Sequence, residues 1–394
     1  MNILFISAVL PYPLYSGGQV RMYNLLKILA KNHDITLCSF IRDEKERAYI
    51  NTLGFLSDVH MIYRGRAMQA SYLAKMFGSY PLLLTTYDNA LMKECIQNEL
   101  SKKKYDLIHL EPFYVYPSVP ERGSIPMVVS EHNIEYAVYS EFAKSYPFFF
   151  ARPILSSDAG KIRRWEEKVW KKASSVIAVS DNDAAIISNI TKKKTAVVAN
   201  GVDIHSFSYH KHTWDKQNAK LVFVGNFAWA PNVEAVRTLV RDIWPGIRAR
   251  MPSVTLTIIG KGFPSSLRQF TGDHMHIRED IDDIRRIYRE SDVLVAPMGI
   301  AGGSKFKILE AMASGTAVVT TKAGSTGLDV LSGTHYCQVE TKEEFTKAVE
   351  YIFMYPKETV RMTMNARALV EKKYSWEQIA KVLDTVWKQS YETR

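Results

Sequence analysis

Residues 299–321, GIAGGSKFKILEAMASGTAVVTT, decide the fold of this chain. The run before them, 292–297 (DVLVAP), is continuously apolar and ends on Pro297, as a strand buried on both faces does. Gly302 and Gly303 then lead into a helical pattern predicted over about 304–314, and a second apolar strand, 316–320 (TAVVT), follows. Paired glycines let backbone approach a ligand closely. A helix N-terminus adds free N–H groups and the positive end of a dipole. Lys305 and Lys307 place point charges near that end, and Glu310 offers a carboxylate able to accept two hydroxyl donors, as a ribose requires. Strand, glycines, lysines, helix and carboxylate in this order describe a nucleoside diphosphate site at the carboxyl edge of a parallel sheet.

Outward from this segment the same grammar recurs. Candidate strands lie at 2–7, 34–40, 59–63, 106–110, 126–130, 175–179 and 196–199, and again at 220–225, 254–260, 292–297 and 316–320. Amphipathic stretches separate them. In 18–32, for example, Val20, Met22, Leu25, Leu26 and Leu29 share one helical face. A strand–glycine–helix opening near residue 2 and another near 220 predict two doubly wound α/β domains. Their join falls in the polar, aperiodic stretch 200–218. The expected domains are 1–205, joined by a last helix over 376–394 that packs back on it, and 215–375.

The chain has 394 residues, 46% apolar and 23% charged, an ordinary globular composition that excludes disordered and fibrous classes. The net charge of +10 is spread over both halves, with 25 basic and 19 acidic residues in 1–200 and 26 and 22 in 201–394. No basic arm or stacking motif accompanies it, so nucleic acid is not the expected partner. Three cysteines, Cys38, Cys95 and Cys337, fit neither a disulfide framework nor a zinc site, and reduced thiols in a cytoplasmic protein are expected. The first residues read as a strand and not as a signal peptide, and no apolar run is long enough to span a bilayer.

The string from Lys307 to Val319 resembles the nucleotide-sugar signature of retaining glycosyltransferases of family 4, which have the GT-B fold, two Rossmann-like domains facing a cleft. Pro11–Gly18 with its following helix resembles that family's N-terminal glycine loop. Glu131-His132-Asn133 resembles its His-containing turn, Asn200–Asp203 its interdomain element, and Tyr374-Ser375-Trp376 the start of its C-terminal helix. A Gly-Gly start to the nucleotide-sugar helix is similar to a branch often found in exopolysaccharide or envelope assembly. The resemblance implies a nucleotide-diphospho-sugar donor, a glycan or lipid-linked acceptor, and no cofactor. It implies that Glu310 holds the ribose, that amides around Gly302, Gly303 and Ser304 hold the diphosphate, that Gly17 and Gly18 face it from the first domain, and that His132 meets the transferred sugar.

Two positions depart from the family. Gly302 stands where a donor-binding Glu is common. After the first strand of the second domain, Asn226 and the pair Pro231-Asn232 stand where Arg and Lys are usual. Asn232 reads as a helix N-cap. Lys305 and Lys307 are then expected to replace the missing cations, Lys305 in a catalytic role beside His132, with Asn226 and Lys307 binding the donor. Metal is not required: Asp181-Asn182-Asp183 follows a strand but lies away from the Gly-rich segment. Glu131 and Glu135, beside His132, could act as a base, but capping or surface roles are the expectation. A non-catalytic nucleotide-sugar binder and a nucleotide-sugar epimerase are the alternatives.

Residues 145–155 (SYPFFFARPIL), followed by Arg163-Arg164-Trp165 and Trp170-Lys171-Lys172, form the largest aromatic cluster. Burial as a helix–loop is the expectation, and peripheral contact with an anionic membrane face is the alternative.

Overall fold

The computed structural model describes residues 1–65, 78–120, 123–279, 281, 283–299 and 305–393. The chain divides into two compact units, one of Met1–Ala199 with the chain from Ile379 onward, the other of Asn200–Gln378.

The first unit is built on seven parallel strands: β1 (Asn2–Ser7), β2 (Asp34–Ile41), β3 (Asp58–Tyr63), β4 (Leu107–Glu111), β5 (Met127–Glu131), β6 (Ser175–Ala178) and β7 (Ala196–Val197). Their spatial order is β3-β2-β1-β4-β5-β6-β7. The second unit has six: β8 (Lys220–Val224), β9 (Thr255–Ile259), β10 (Met275–Arg278), β11 (Val293–Ala296), β12 (Ala317–Thr320) and β13 (Cys337–Gln338), in the order β10-β9-β8-β11-β12-β13. Every pairing between named strands is parallel. Central strands such as β4, β5, β11 and β12 are buried along their whole length, which is why they read as near-continuous apolar runs, broken in β4 and β5 by the polar residues His109, Glu111, Ser130 and Glu131. Strands β10 and β13 fall outside the eleven predicted runs. Both are edge strands, and β10 (MHIR) alternates burial and exposure, so it carries no continuous apolar signal.

In each sheet the winding reverses next to the first strand, between β1 and β4 and between β8 and β11. At such a switch point the loops at the carboxyl ends diverge and leave a crevice. The helices that carry functional or surface residues are α1 (Gly17–Leu29), α2 (Ala90–Lys102), α3 (Glu135–Ser145), α4 (Arg152–Lys172), α5 (Ala230–Thr238), α6 (Phe306–Ser314) and α7 (Trp376–Glu392). Helix α1 starts at Gly17 because Ser16 caps it, its hydroxyl accepting from the Gln19 amide. Helix α6 stops at Gly315, which takes φ +85° where a Cβ would stand 2.5 Å from the His210 carbonyl oxygen.

Residues 200–205 and 376–378, expected with the first unit, belong to the second. Val202 bridges Ser375, and Gly201 lies so close beneath the Trp376 ring that a Cβ would meet it at 2.7 Å. From Ile379 onward α7 belongs to the first unit, where Trp387 is fully buried. Distant in sequence, Cys38 on β2 and Cys95 on α2 bring their sulfurs to 3.9 Å, both as free thiols.

Candidate active site

At the first switch point the focus is Glu111, the last residue of β4. It is 3% exposed and accepts from two imidazoles, His109 Nε2 at 2.8 Å and His132 Nε2 in a short contact. His109 and Glu111 are two apart on one strand and so share a face. The Arg21 guanidinium of α1, buried as well, lies 3.7 Å from the same carboxylate and donates to the Ala199 carbonyl oxygen at 2.7 Å. The tautomer of His109 follows from its partners. The Trp387 indole N–H of α7 can only donate, and it donates to His109 Nδ1 at 3.0 Å. His109 therefore carries its proton on Nε2 and gives it to Glu111. Burial holds His109 below its ordinary pKa, in keeping with a neutral ring. For Glu111, burial opposes the charge, but His132 and the hydrogen bonds of both imidazoles outweigh it and hold the carboxylate well below its usual range. An ionised Glu111 accepts only, so His132 donates through Nε2. Its Nδ1 lies on the side of Gly18, where a Cβ would stand 3.0 Å from Cε1 and 3.1 Å from Nδ1. Gly18 is small because His132 occupies the space.

At the second switch point a pocket of about 300 Å³ is lined by the end of β8 (Val224, Gly225), by Asn226, Trp229 and Asn232, and by Lys305, Lys307 and Glu310. Helix α6 begins at Phe306, later than predicted, because Lys305 takes the left-handed conformation, φ +56°. A non-glycine residue held there is strained by about 1–3 kcal/mol, the kind of outlier that gathers at ligand sites. Lys305 Nζ donates to the Ala323 carbonyl oxygen at 3.0 Å. Lys307 Nζ donates to Asn232 Oδ1 at 2.8 Å, sits 3.7 Å from the Met298 sulfur, and lies 4.7 Å from the centre of the Phe223 ring. These partners are neutral. Desolvation accordingly lowers Lys305 to about 8, and desolvation with the charge of Lys305 lowers Lys307 to about 7. Desolvation raises Glu310 to about 7, against Tyr288 and Lys307, which pull it down. Three ionisable groups thus stand poised near neutrality around one pocket, the arrangement that functional sites favour.

Asn232 is not the helix N-cap that its sequence suggests. Helix α5 begins at Ala230, and Asn232 is its third residue. Its Nδ2 donates to the Asn226 carbonyl oxygen at 2.9 Å while its Oδ1 receives Lys307. Asn226 Oδ1 accepts from the Ala228 amide, which closes the loop on the pocket's rim. Of the predicted residues, Gly17, Gly18 and His132 belong to the first unit, and Asn226, Lys305, Lys307 and Glu310 gather in the second. Gly302, Gly303 and Ser304 lie outside the described residues. Glu131, expected on a surface or in a cap, is buried at the end of β5 and accepts from the Trp170 indole at 2.8 Å. Burial and the neighbouring Glu166 raise it well above the usual carboxylate range, which disfavours the charged form that a base would need. Asp183 serves the N-terminus of its own helix, where its amide donates to the Ser180 hydroxyl.

Sequence reasoning missed Arg21, His109, Glu111 and Trp387. The signal for two of them was present: a His-x-Glu pair ending an otherwise apolar strand must find partners. The predicted strand stopped at residue 110 and left Glu111 out.

Residues 15–206 match the family model described as Glycosyltransferase Family 4, and 218–354 that described as Glycosyl transferases group 1. An uncharacterized 44.6 kDa protein in the cps region of Klebsiella pneumoniae is 22% identical over 99% of this chain and 100% of its own length. The phosphatidyl-myo-inositol mannosyltransferase of Mycolicibacterium smegmatis is 27% identical over 57% of this chain and 55% of its own length. Among solved structures, sucrose-phosphate synthase from Thermosynechococcus elongatus superposes with TM-score 0.74 at 17% identity, all of both chains covered. Anabaena HepE in complex with UDP does so with TM-score 0.67 at 16% identity, over 99% of this chain and all of that one. The fold class is therefore GT-B.

Proposed function

From a chain that carries a glycosyltransferase family 4 domain followed by a glycosyl transferases group 1 domain, we propose a hexosyltransferase that moves a sugar from a nucleotide-diphospho-sugar to a hydroxyl of a glycan or lipid-linked acceptor. Anomeric configuration is retained, and the product belongs to envelope or exopolysaccharide synthesis at the cytoplasmic face of a membrane. One observation carries the reading. Lys307 Nζ is held by Asn232, in the segment where the resembling family keeps its leaving-group cations. The missing charge is thus supplied from α6 to the same pocket.

In this reading the second unit binds the donor. Lys307 and Lys305 neutralise the diphosphate with the N-terminal end of α6. Gly302, Gly303 and Ser304 bring backbone amides to it, and Glu310 accepts from the ribose hydroxyls. Asn226 borders the donor. The first unit supplies Gly17, Gly18 and a His132 whose orientation Glu111 fixes, and His132 serves the transferred sugar. The bond from the anomeric carbon to the diphosphate breaks, the acceptor oxygen bonds that carbon from the same face, and the acceptor's proton passes to the departing phosphate oxygen. No enzyme nucleophile is needed, and the two lysines do the work a metal would do, so EDTA should leave turnover unchanged. Complexes of HepE with UDP and with UDP-glucose support a nucleotide-sugar donor.

The test is a thermal-shift panel of nucleoside diphosphates and nucleotide sugars. A ligand at 100 times its Kd stabilises the folded protein by about 2.7 kcal/mol. If no nucleotide moves the transition, the donor site is misassigned. Donor hydrolysis without acceptor separates an enzyme from a non-catalytic binder.

A further inference from the structure

The stretch 142–154 breaks the rule by which apolar side chains are spent in a core. Phe148, Phe149 and Phe150 are 57%, 76% and 68% exposed, and Val138, Phe142 and Ile154 are exposed beside them in sequence. Their ring partners are one another. Phe142 meets Tyr146 at 5.4 Å, Tyr146 meets Phe148 at 5.9 Å, and Phe150 meets Phe148 at 5.7 Å and Phe149 at 5.9 Å. The burial expected from the sequence does not occur at these three rings, although Trp170, farther along the same cluster, is fully buried. A contiguous aromatic ladder left in water marks an interaction surface.

Charge says what covers it. Over residues 137–172 seven lysines and arginines are exposed against one exposed acid, Glu141; Asp158 and Glu166 are buried, and the half-buried Glu167 pairs with Arg163 and Lys171. On α4 the exposed residues cover one broad side of the helix, which carries Arg152, Arg163 and Lys172 as well; Lys161, on the same side, is buried. Ile154, Ser157, Arg164, Lys168 and Lys171 recur at helical spacing, so the basic stripe continues from the aromatic end along a single face. The opposite face of α4, with Ala159, Ile162, Val169 and Trp170, is buried. A second copy of this chain would set the same positive stripe against itself. A surface that is apolar just below an anionic layer would satisfy both parts.

We propose that the ladder at 142–154 and the basic stripe of α4 form a docking surface for an anionic lipid bilayer. The aromatic rings enter the headgroup–acyl boundary, and α4 lies along the surface with its lysines and arginines on the anionic headgroups. This deepens the membrane part of the proposed function but rests on none of the donor-site residues. Among the described residues no helix is long and apolar enough to cross a membrane, so the contact is interfacial.

Flotation of the full chain with phosphatidylcholine vesicles, with and without roughly 30 mol % phosphatidylglycerol, reads this directly. Recovery is expected with the anionic vesicles at low salt and should fall steeply toward about 0.5 M salt, where the Debye length is a few ångströms. Replacing Phe148, Phe149 and Phe150 together by Ser should reduce partitioning at least about tenfold. Reversing Arg164, Lys168 and Lys171 should reduce it by about fivefold per charge removed. In both variants the thermal shift with UDP should match wild type, which certifies folding and keeps the two proposals separable. Absence of flotation at low salt overturns the docking surface. So does wild-type flotation by the triple-Ser variant, or a dimer in sedimentation that the same substitutions abolish while vesicles stay unbound.

Discussion

The two switch points of this protein are built on one topological plan and treat charge in opposite ways. In the first unit the buried carboxylate of Glu111 is met by Arg21, His109 and His132, and each partner has a further anchor or a fixed tautomer. Charge there is compensated from within. In the second unit Lys305 donates to the Ala323 carbonyl and Lys307 to Asn232, and desolvation drives both toward deprotonation, opposed at Lys307 by Glu310. The nearby carboxylate, Glu310, is itself pushed up to about 7 by burial. The first arrangement presents His132 ready-made, and the second stores unfavourable desolvation that a diphosphate would relieve.

Removing an element of the compensated site should cost stability most. Glu111→Ala strips the partner from a buried guanidinium and should destabilise the first unit by about 3–5 kcal/mol, seen as a lowered denaturation midpoint. A variant as stable as wild type would mean that Glu111 does not hold the cluster together. At the uncompensated site the effect should fall on catalysis. Lys305→Ala and Lys307→Ala should each lower turnover by about 2.7–4 kcal/mol of transition-state stabilisation, while folding is maintained or improved because a desolvated amine is gone. Wild-type turnover in both would remove the idea that these lysines replace the family's cations.

Smaller effects sharpen the contrast. Gly18→Ala pushes a methyl against the His132 ring and should cost about 1–3 kcal/mol, with a fall in kcat that a second substitution at His132 no longer deepens. The pH dependence of UDP affinity is the finest probe. An anion favours protonated lysines, so affinity should fall as pH rises through the values of about 7 and 8 held by Lys307 and Lys305. A ribose favours ionised Glu310, so affinity should also fall as pH drops below about 7. The optimum should lie near neutrality, with Lys307→Ala flattening the alkaline limb and Glu310→Gln the acid limb. A flat profile in the wild type would show that neither group changes protonation on binding.

Much of the fold was legible because parallel strands buried on both faces are written as near-continuous apolar runs, and β1, β4, β5, β8, β11 and β12 are. The edges were not, since β10 is half exposed and β13 has two residues. In the candidate site Lys305, Lys307, Glu310 and His132 could be read because local chemistry, glycines before a helix and a histidine after a strand, marks them. Their partners could not. Lys307 and Asn232 are 75 residues apart, and Trp387 reaches His109 across 278. Asn232 was misread because its spacing fits a cap as well as it fits a bridge.

By itself, then, the sequence determined the alternation of strands and helices, the two windings, and the residues able to meet a diphosphate, because periodicity and residue chemistry are local properties. The tertiary structure alone decided which of those residues lose water, which tautomer His109 adopts, that Glu111 is pushed toward ionisation and Glu131 away from it, and that Phe148, Phe149 and Phe150 stand outside the core. Desolvation and hydrogen-bond partnership depend on what distant elements bring to the same place, and no single stretch of chain encodes that.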